Sequence, residues 1–475
     1  MAAPNKLFLG SFVHSKKLKE IESLHNAAVA VDSSGKIVAV EQDCSEGRAR
    51  ETVLPRLGWR EDEVEFVRAA DGQFFFPGFI DTHIHASQYP NVGIFGESTL
   101  LDWLKKYTFP LEASLADSTK ARQVYTRVIR KTLSHGTTCA AYYATIDVPS
   151  TNLLADLCHT AGQRALVGRI CMNQNSPDKY RDASVESAIA DTRASIEHIR
   201  SIDPSMALVR PIITPRFAPA CSVDLMRQLG ALAKEMGLPI QTHISENTAE
   251  IAFVRELFPP SVTGAADDTY AAVYDACGLL TERTILGHAV HLTDSEAELV
   301  ARRKAKISHC PCSNSALTSG AAPVRRQFLD RGIACGLGTD MSGGYSPSVL
   351  EAARQAALVS RQVVLSGTVD GKRDDGAALS VDEVLYLATR GGAEVVGLAD
   401  KVGAFEVGMD WDAQLIGLNI VGEDGEVINS DGDGGDVDVF GWESWPNQVA
   451  KWVYNGDDRN TKKVWVKGRL VHERR

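Results

Sequence analysis

The sequence has no Cys-x-x-Cys pair, no run of about 18 consecutive apolar residues and no surplus of positive charge. Each gap excludes something. Its nine cysteines, Cys44, Cys139, Cys158, Cys171, Cys221, Cys277, Cys310, Cys312 and Cys335, are scattered and odd in number. That pattern argues against a disulfide framework and for reduced thiols in a cytosolic protein. Without a long apolar run nothing spans a membrane, and the start, MAAPNKLFLGSFVHSKK, has too short an apolar stretch for a signal peptide. The expected location is therefore the cytoplasm. Fifty basic residues stand against 61 acidic ones, a formal charge of −11. This balance excludes non-specific binding to nucleic acid or to anionic membranes, which needs basic patches.

What is present is an ordinary globular composition over 475 residues, 44% hydrophobic and 23% charged. A chain of this length buries a large core without metal or disulfide support, so a metal here is expected to serve chemistry.

The two ends read as strands. KLFLGSFVH and AAVAVDSSGKIVAVEQ near the start, the second broken by a turn at Asp32–Gly35, are matched near the end by DAQLIGLNI and KWVYNGDDRNTKKVWVKGRLVHE, whose last strands join around Asn455–Asn460. The simplest packing is one small β-sandwich built from residues 1–75 and 405–475. Between them, over 76–404, apolar strands alternate with helical stretches. The expected strands are Phe75–His83, Thr137–Tyr143, Ala165–Cys171, Leu208–Thr214, Pro239–His243, Thr284–His288, Lys306–Cys310 and Ala334–Asp340. The expected helices include Ser118–Ser134, Val185–Ser201, Val223–Met236 and Ser295–Lys304. In VDLMRQLGALAKEM the residues Leu225, Leu229, Leu232 and Met236 share a face, with Ser222 to start the helix and Gly237 to stop it. Eight such units predict an α/β fold of the (β/α)8 TIM-barrel type. The acidic stretch 423–438 reads as a solvated insertion. Asn429, Asp431, Asp433 and Gly434 mimic the start of an EF-hand loop, but Phe440 at its twelfth position removes the required glutamate.

His83 and His85 are one residue apart at the end of a strand, where residues i and i+2 point the same way. Alone, such a pair is more often structural. Here His243 and His288 end the fifth and sixth strands, and Asp340 ends the eighth. In a barrel those ends converge, and three imidazoles, a carboxylate and water suit zinc or iron.

On these residues the chain resembles the guanine deaminases of the amidohydrolase superfamily. The stretches that carry the resemblance are PGFIDTHIHASQ, WLKKYTFPLE at 103–112, TPRF at 214–217, HISE at 243–246, LGH at 286–288, SHCPCSNSALTSG at 308–320 and GTD at 338–340. The resemblance implies one zinc per chain, with iron as the other candidate, held by His83, His85, His243 and Asp340. His288 is expected to touch the metal-bound water, with a fifth-ligand role open. Glu246 is expected to shuttle protons, and Gln88, Arg216 and Phe217 to hold the purine. A homodimer is implied as well.

The chemistry agrees with these roles. A zinc-bound water ionises near pH 7, Asp340 can take its proton, and Glu246, three residues past a ligand, can supply one to the ring nitrogen and to departing ammonia. An Arg fork suits a carbonyl acceptor, an aromatic ring stacks on a purine, and an amide matches a purine edge. Asp81 is expected to support the histidines from behind. Cys310 and Cys312 are expected to pack near strand seven, and His309 either lines the pocket or is structural. Pro311–Cys312 superficially matches the P-C-x-x-C of the other zinc deaminase class, but position 315 is Ser and no H-x-E precedes it. The same metal site on a different aminated or chlorinated heterocycle, and a non-catalytic scaffold, are the competing readings.

Overall fold

The computed structural model describes residues 4–369, 372–428 and 435–474. The calcium-like positions 429–434 lie outside the described residues.

The apolar run at 74–80 does not form one strand. Gly78 divides it between two sheets. Gln73–Pro77 pairs antiparallel with Ala413–Gly417, whereas Phe79–His85 pairs parallel with Thr137–Tyr143. A side chain at Gly78 would meet Thr138 at 2.1 Å, so only glycine allows this crossing.

The chain ends meet in one mixed, eight-stranded sheet. Its order runs Arg469–Glu473, Thr461–Val466, Ala413–Gly417, Gln73–Pro77, Asn5–Lys17, Glu20–Val31, Ile37–Glu41, with Val64–Arg68 also on Asn5–Lys17. Both termini supply its aromatic core. Phe8 stacks on Trp411 at 4.1 Å, with the edges of Phe75 and Trp465 at 5.5 and 5.4 Å. The predicted strand content at the C-terminal end needs one correction. Lys451–Tyr454 is helical, within Trp445–Asn455. Val449, Trp452 and Val453 are its buried positions, and that helical spacing overrides the β preference of Trp, Val and Tyr. The last two strands turn at Lys467–Gly468 rather than at 455–460.

The middle of the chain carries two four-stranded parallel sheets. One runs Val209–Pro211, Arg164–Gly168, Thr137–Tyr143, Phe79–His85, and the other Ile240–Ile244, Thr284–His288, Lys306–His309, Cys335–Leu337. A parallel bridge from Ile213 to Ile240 joins them on one side. On the other, the Asp340 amide donates to the His83 carbonyl at 2.8 Å. Helices Ser118–Ser134, Val148–Ala161, Val185–Ile202, Val223–Met236, Asp294–Arg303 and Val349–Ser366 connect or flank these strands. Val223–Met236 starts on Ser222, whose side chain accepts from the Leu225 amide, and ends at Gly237 with φ 66°.

All nine cysteines are buried and unpaired. No helix among the described residues is long and apolar enough to cross a membrane.

A buried ion cluster ties the terminal sheet to the parallel one. Arg164, at the start of its strand, donates to Asp412 at 2.6 and 3.1 Å and to Asp410 at 2.7 Å, just ahead of Ala413–Gly417. Replacing Arg164 with Met leaves Asp412 buried without a cation, while Asp410 keeps only Lys36 at 3.2 Å. We expect a loss of about 3–5 kcal/mol, read as a lower urea midpoint, and a shift under about 1 kcal/mol would contradict this role.

Candidate active site

Each histidine that the sequence placed at a strand end lies there. His83 and His85 close Phe79–His85, His243 lies in Ile240–Ile244, and His288 closes Thr284–His288. Asp340 sits three residues past Cys335–Leu337. Their ligand atoms all lie within 4.8 Å of one another for His83, His85, His243 and Asp340. The Nε2 atoms of His85 and His243 are 3.2 Å apart, and Asp340 Oδ1 is 3.2 Å from His83 Nε2 and 3.3 Å from His85 Nε2. Tetrahedral coordination with metal–ligand bonds of 2.0–2.1 Å has edges of about 3.3 Å.

The donor chemistry fits a cation too. His83 is fully buried, yet neither ring nitrogen has a hydrogen-bond partner. Burial lowers its pKa to about 4 and that of His243 well below its ordinary value, so both rings are neutral at pH 7, the form that ligates metals. His243 Nδ1 donates to the Arg216 carbonyl at 2.5 Å, which turns its Nε2 lone pair into the cluster. Burial favours the neutral form of Asp340, but the adjoining His83, His85 and His288 rings outweigh it and hold the carboxyl well below the usual range.

The two motif glycines are packing requirements. A side chain at Gly287 would lie 2.7 Å from His83 Cε1, and one at Gly338 would lie 2.7 Å from His83 Cβ. Asp81 acts on backbone rather than on a ring. It accepts from the Thr339 amide at 3.0 Å, the Thr339 hydroxyl at 2.5 Å and the His83 amide at 3.3 Å, and burial raises its pKa to about 7. His288 and Asp340 hold positive φ, 70° and 45°, as does Ser245 at 49°. Strained backbone of this kind gathers where a side chain must be aimed.

His288 and Glu246 stand beside the four-residue group. His288 Nδ1 pairs with the Asn314 side-chain oxygen at 2.9 Å, leaving Nε2 3.5 Å from Glu246 and 3.9 Å from Asp340. Burial raises the Glu246 pKa to about 7. Its Oε1 accepts from Ser319 at 3.3 Å.

This group opens into a cavity. Gln88, Arg216 and Phe217 line it too, with Leu100, Trp103, Leu104 and Leu317 as apolar wall. Eight of the nine predicted site residues thus line one space, and the ninth, His83, belongs to the ligand group beside it. One residue that sequence reasoning passed over joins them. Glu112, the last residue of WLKKYTFPLE, is buried and accepts from Arg216 at 2.6 and 3.2 Å and from Gln88 at 2.8 Å. Nothing in its own stretch of sequence signals this, because its burial comes from contacts with distant segments. Asn314 and Ser319, within SHCPCSNSALTSG, were missed as partners of His288 and Glu246.

The seventh-strand residues separate. His309 is buried, does not line the cavity, and burial lowers its pKa to about 3. Cys312 is buried at the start of the short helix Pro311–Ala316. Cys310 lies closer than a packing role requires, with its sulfur within 4.8 Å of nitrogens of His83 and His288. Burial pushes its thiol well above the ordinary range, which keeps it protonated and a poor ligand.

The amidohydrolase family model matches residues 74–471. A probable guanine deaminase of Schizosaccharomyces pombe is 49% identical over 465 residues, spanning 98% of this chain and 83% of that protein. The human guanine deaminase is 39% identical over 469 residues, spanning 98% and 96%. Among solved structures, guanine deaminase from C. acetobutylicum with guanine bound in its active site aligns with a TM-score of 0.82 at 32% identity, covering 98% of this chain and all of that one.

If the Gly287 contact sets the His83 ring, Gly287→Ala should lower zinc affinity in a chelator competition by about 10–100-fold. Unchanged affinity would show that the ring is positioned by something else.

Proposed function

This chain belongs to the amidohydrolase family, and from that membership we propose that it hydrolyses guanine to xanthine and ammonia. The observation that carries the reading is one cavity lined by unlike groups. Three of the four potential ligands and two proton-handling groups, Glu246 and His288, line it together with Arg216 and Gln88.

The supporting architecture is read as a single (β/α)8 barrel over 76–404. Its two parallel sheets close through the Ile213–Ile240 bridge and the Asp340–His83 contact. Residues 1–75 and 405–475 are read as a composite β-sandwich domain, which their shared sheet and the Phe8–Trp411 stacking support. One zinc per chain, with iron as the other candidate, would be held by His83, His85, His243 and Asp340. A divalent zinc supplies Lewis acidity, which brings the pKa of a coordinated water to about 7.

The remaining work falls to the chain. Guanine enters with its carbonyl toward Arg216 and its edge toward Gln88, and Phe217 packs against the ring. That orientation presents the amino-bearing carbon to the histidine cluster. Asp340, beside His83 and His85, accepts a proton from the attacking water. His288, between Asp340 and Glu246, holds that water in line. Glu246, with a pKa near 7, gives its proton to the neighbouring ring nitrogen, takes the proton of the added hydroxyl and delivers it to the departing amine, and the proton held by Asp340 then restores Glu246. Carbon gains oxygen and loses nitrogen, so water and guanine leave as xanthine and ammonia. The excess of acidic residues supports a reading without nucleic-acid or membrane partners, and a cytoplasmic homodimer is part of the same proposal.

The competing substrate reading keeps the cluster and changes the ring. Ammonia release from a panel of purines, pyrimidines and triazines separates the two, with guanine expected to dominate. Failure of zinc-loaded protein to form xanthine from guanine would overturn the proposal, and a protein that binds no zinc would be the scaffold. Within the reaction, Glu246→Gln should keep its metal and lose about 10²–10⁴-fold in kcat. Turnover at the parent rate would refute the shuttle.

A further inference from the structure

Among the described residues, Glu112 is the one buried carboxylate that bonds both Gln88 and Arg216. Its two oxygens receive four donors. Oε1 accepts from Gln88 at 2.8 Å and Arg216 Nη2 at 3.2 Å, and Oε2 accepts from Arg216 Nη1 at 2.6 Å and the Tyr180 hydroxyl at 2.8 Å. Burial alone would raise its pKa, but Arg216 outweighs burial and keeps Glu112 ionised. The Arg216 guanidinium also lies over the Phe109 ring, 5.1 Å from its centre, so it is braced from two sides.

Two consequences follow from this bonding. An amide side chain is symmetric in shape but not in chemistry, since one end donates and the other accepts. By taking a donor from Gln88 Nε2, Glu112 fixes which end is which, and leaves Oε1 toward the Ser342 amide at 3.4 Å. A carboxylate paired bidentately with a guanidinium also cancels its charge. The recognition end of the cavity then carries oriented donors and no net charge.

We propose that Glu112 is a positioning residue that locks Gln88 and Arg216 in register and neutralises Arg216, so that the pocket selects a neutral purine with a carbonyl acceptor over an anionic one. The inference rests on the guanine reading above and names what makes that site selective. Glu112 does not itself meet the ligand. It acts through the two side chains it holds.

The test compares guanine with urate, a purine that is an anion at neutral pH, in the zinc-loaded full chain. Glu112→Gln keeps the shape and removes the charge. The expected result is a crossing of preferences. KM for guanine rises about tenfold or more, kcat changes by less than about threefold, and the inhibition constant of urate falls by about tenfold as Arg216 loses its counter-charge. A merely structural role would weaken both ligands together, and that outcome, or unchanged constants, overturns the proposal. If Glu112→Gln does not fold, Tyr180→Phe decides. It removes one donor from Glu112 outside the cavity and should raise KM for guanine about threefold with kcat held, while an unchanged KM again overturns the proposal. Absence of xanthine from the parent protein would defeat the guanine reading itself, whereas xanthine from the parent with no shift in either variant would defeat this inference alone.

Discussion

The structure depends on one constraint, the convergence of parallel strand ends on a buried point. His83, His85, His243, His288 and Asp340 come from segments up to 257 positions apart, yet their ring nitrogens and carboxylate oxygens approach within a few ångströms. Packing imidazoles so closely in a dry interior is unfavourable unless they are neutral or share a cation. Burial keeps His83 and His243 neutral, and the lone pairs thus gathered point at a common centre. Glycine at 287 and 338 permits that approach, and Asp81 ties the first strand to the loop that carries Asp340.

Much of this was legible in the residues. Helices at Ser118–Ser134 and Val223–Met236 and the strand Thr137–Tyr143 fall where periodicity and capping residues put them. The ligand-like residues were legible because chemistry restricts them to few residue types and a strand-end position restricts where they stand. Two boundaries were not. The apolar run at 74–80 carries no mark of its division between two sheets, since the cause is the close approach of Thr138 to Gly78, a contact made only after folding. Lys451–Tyr454 has strong β preference, and its helical form depends on burying Trp452 and Val453 against the core.

Glu112 illustrates a different limit. An acidic residue in WLKKYTFPLE has nothing in its own neighbourhood to mark it as buried. Its partners, Gln88, Tyr180 and Arg216, come from three other segments. Second-tier groups of this sort act through other side chains, so their chemistry is specified by contacts rather than by residue type. In the proposed reaction the site divides its labour. The histidine group and Glu246 handle water and protons, and Gln88, Arg216 and Glu112 fix which molecule can enter.

The most direct measurement of the central claim is anomalous diffraction at the zinc edge from crystals of the zinc-loaded protein. The account predicts one strong peak per chain, bonded to His83, His85, His243 and Asp340. No peak, or a peak bonded instead to His83, His288 and Cys310, would contradict it.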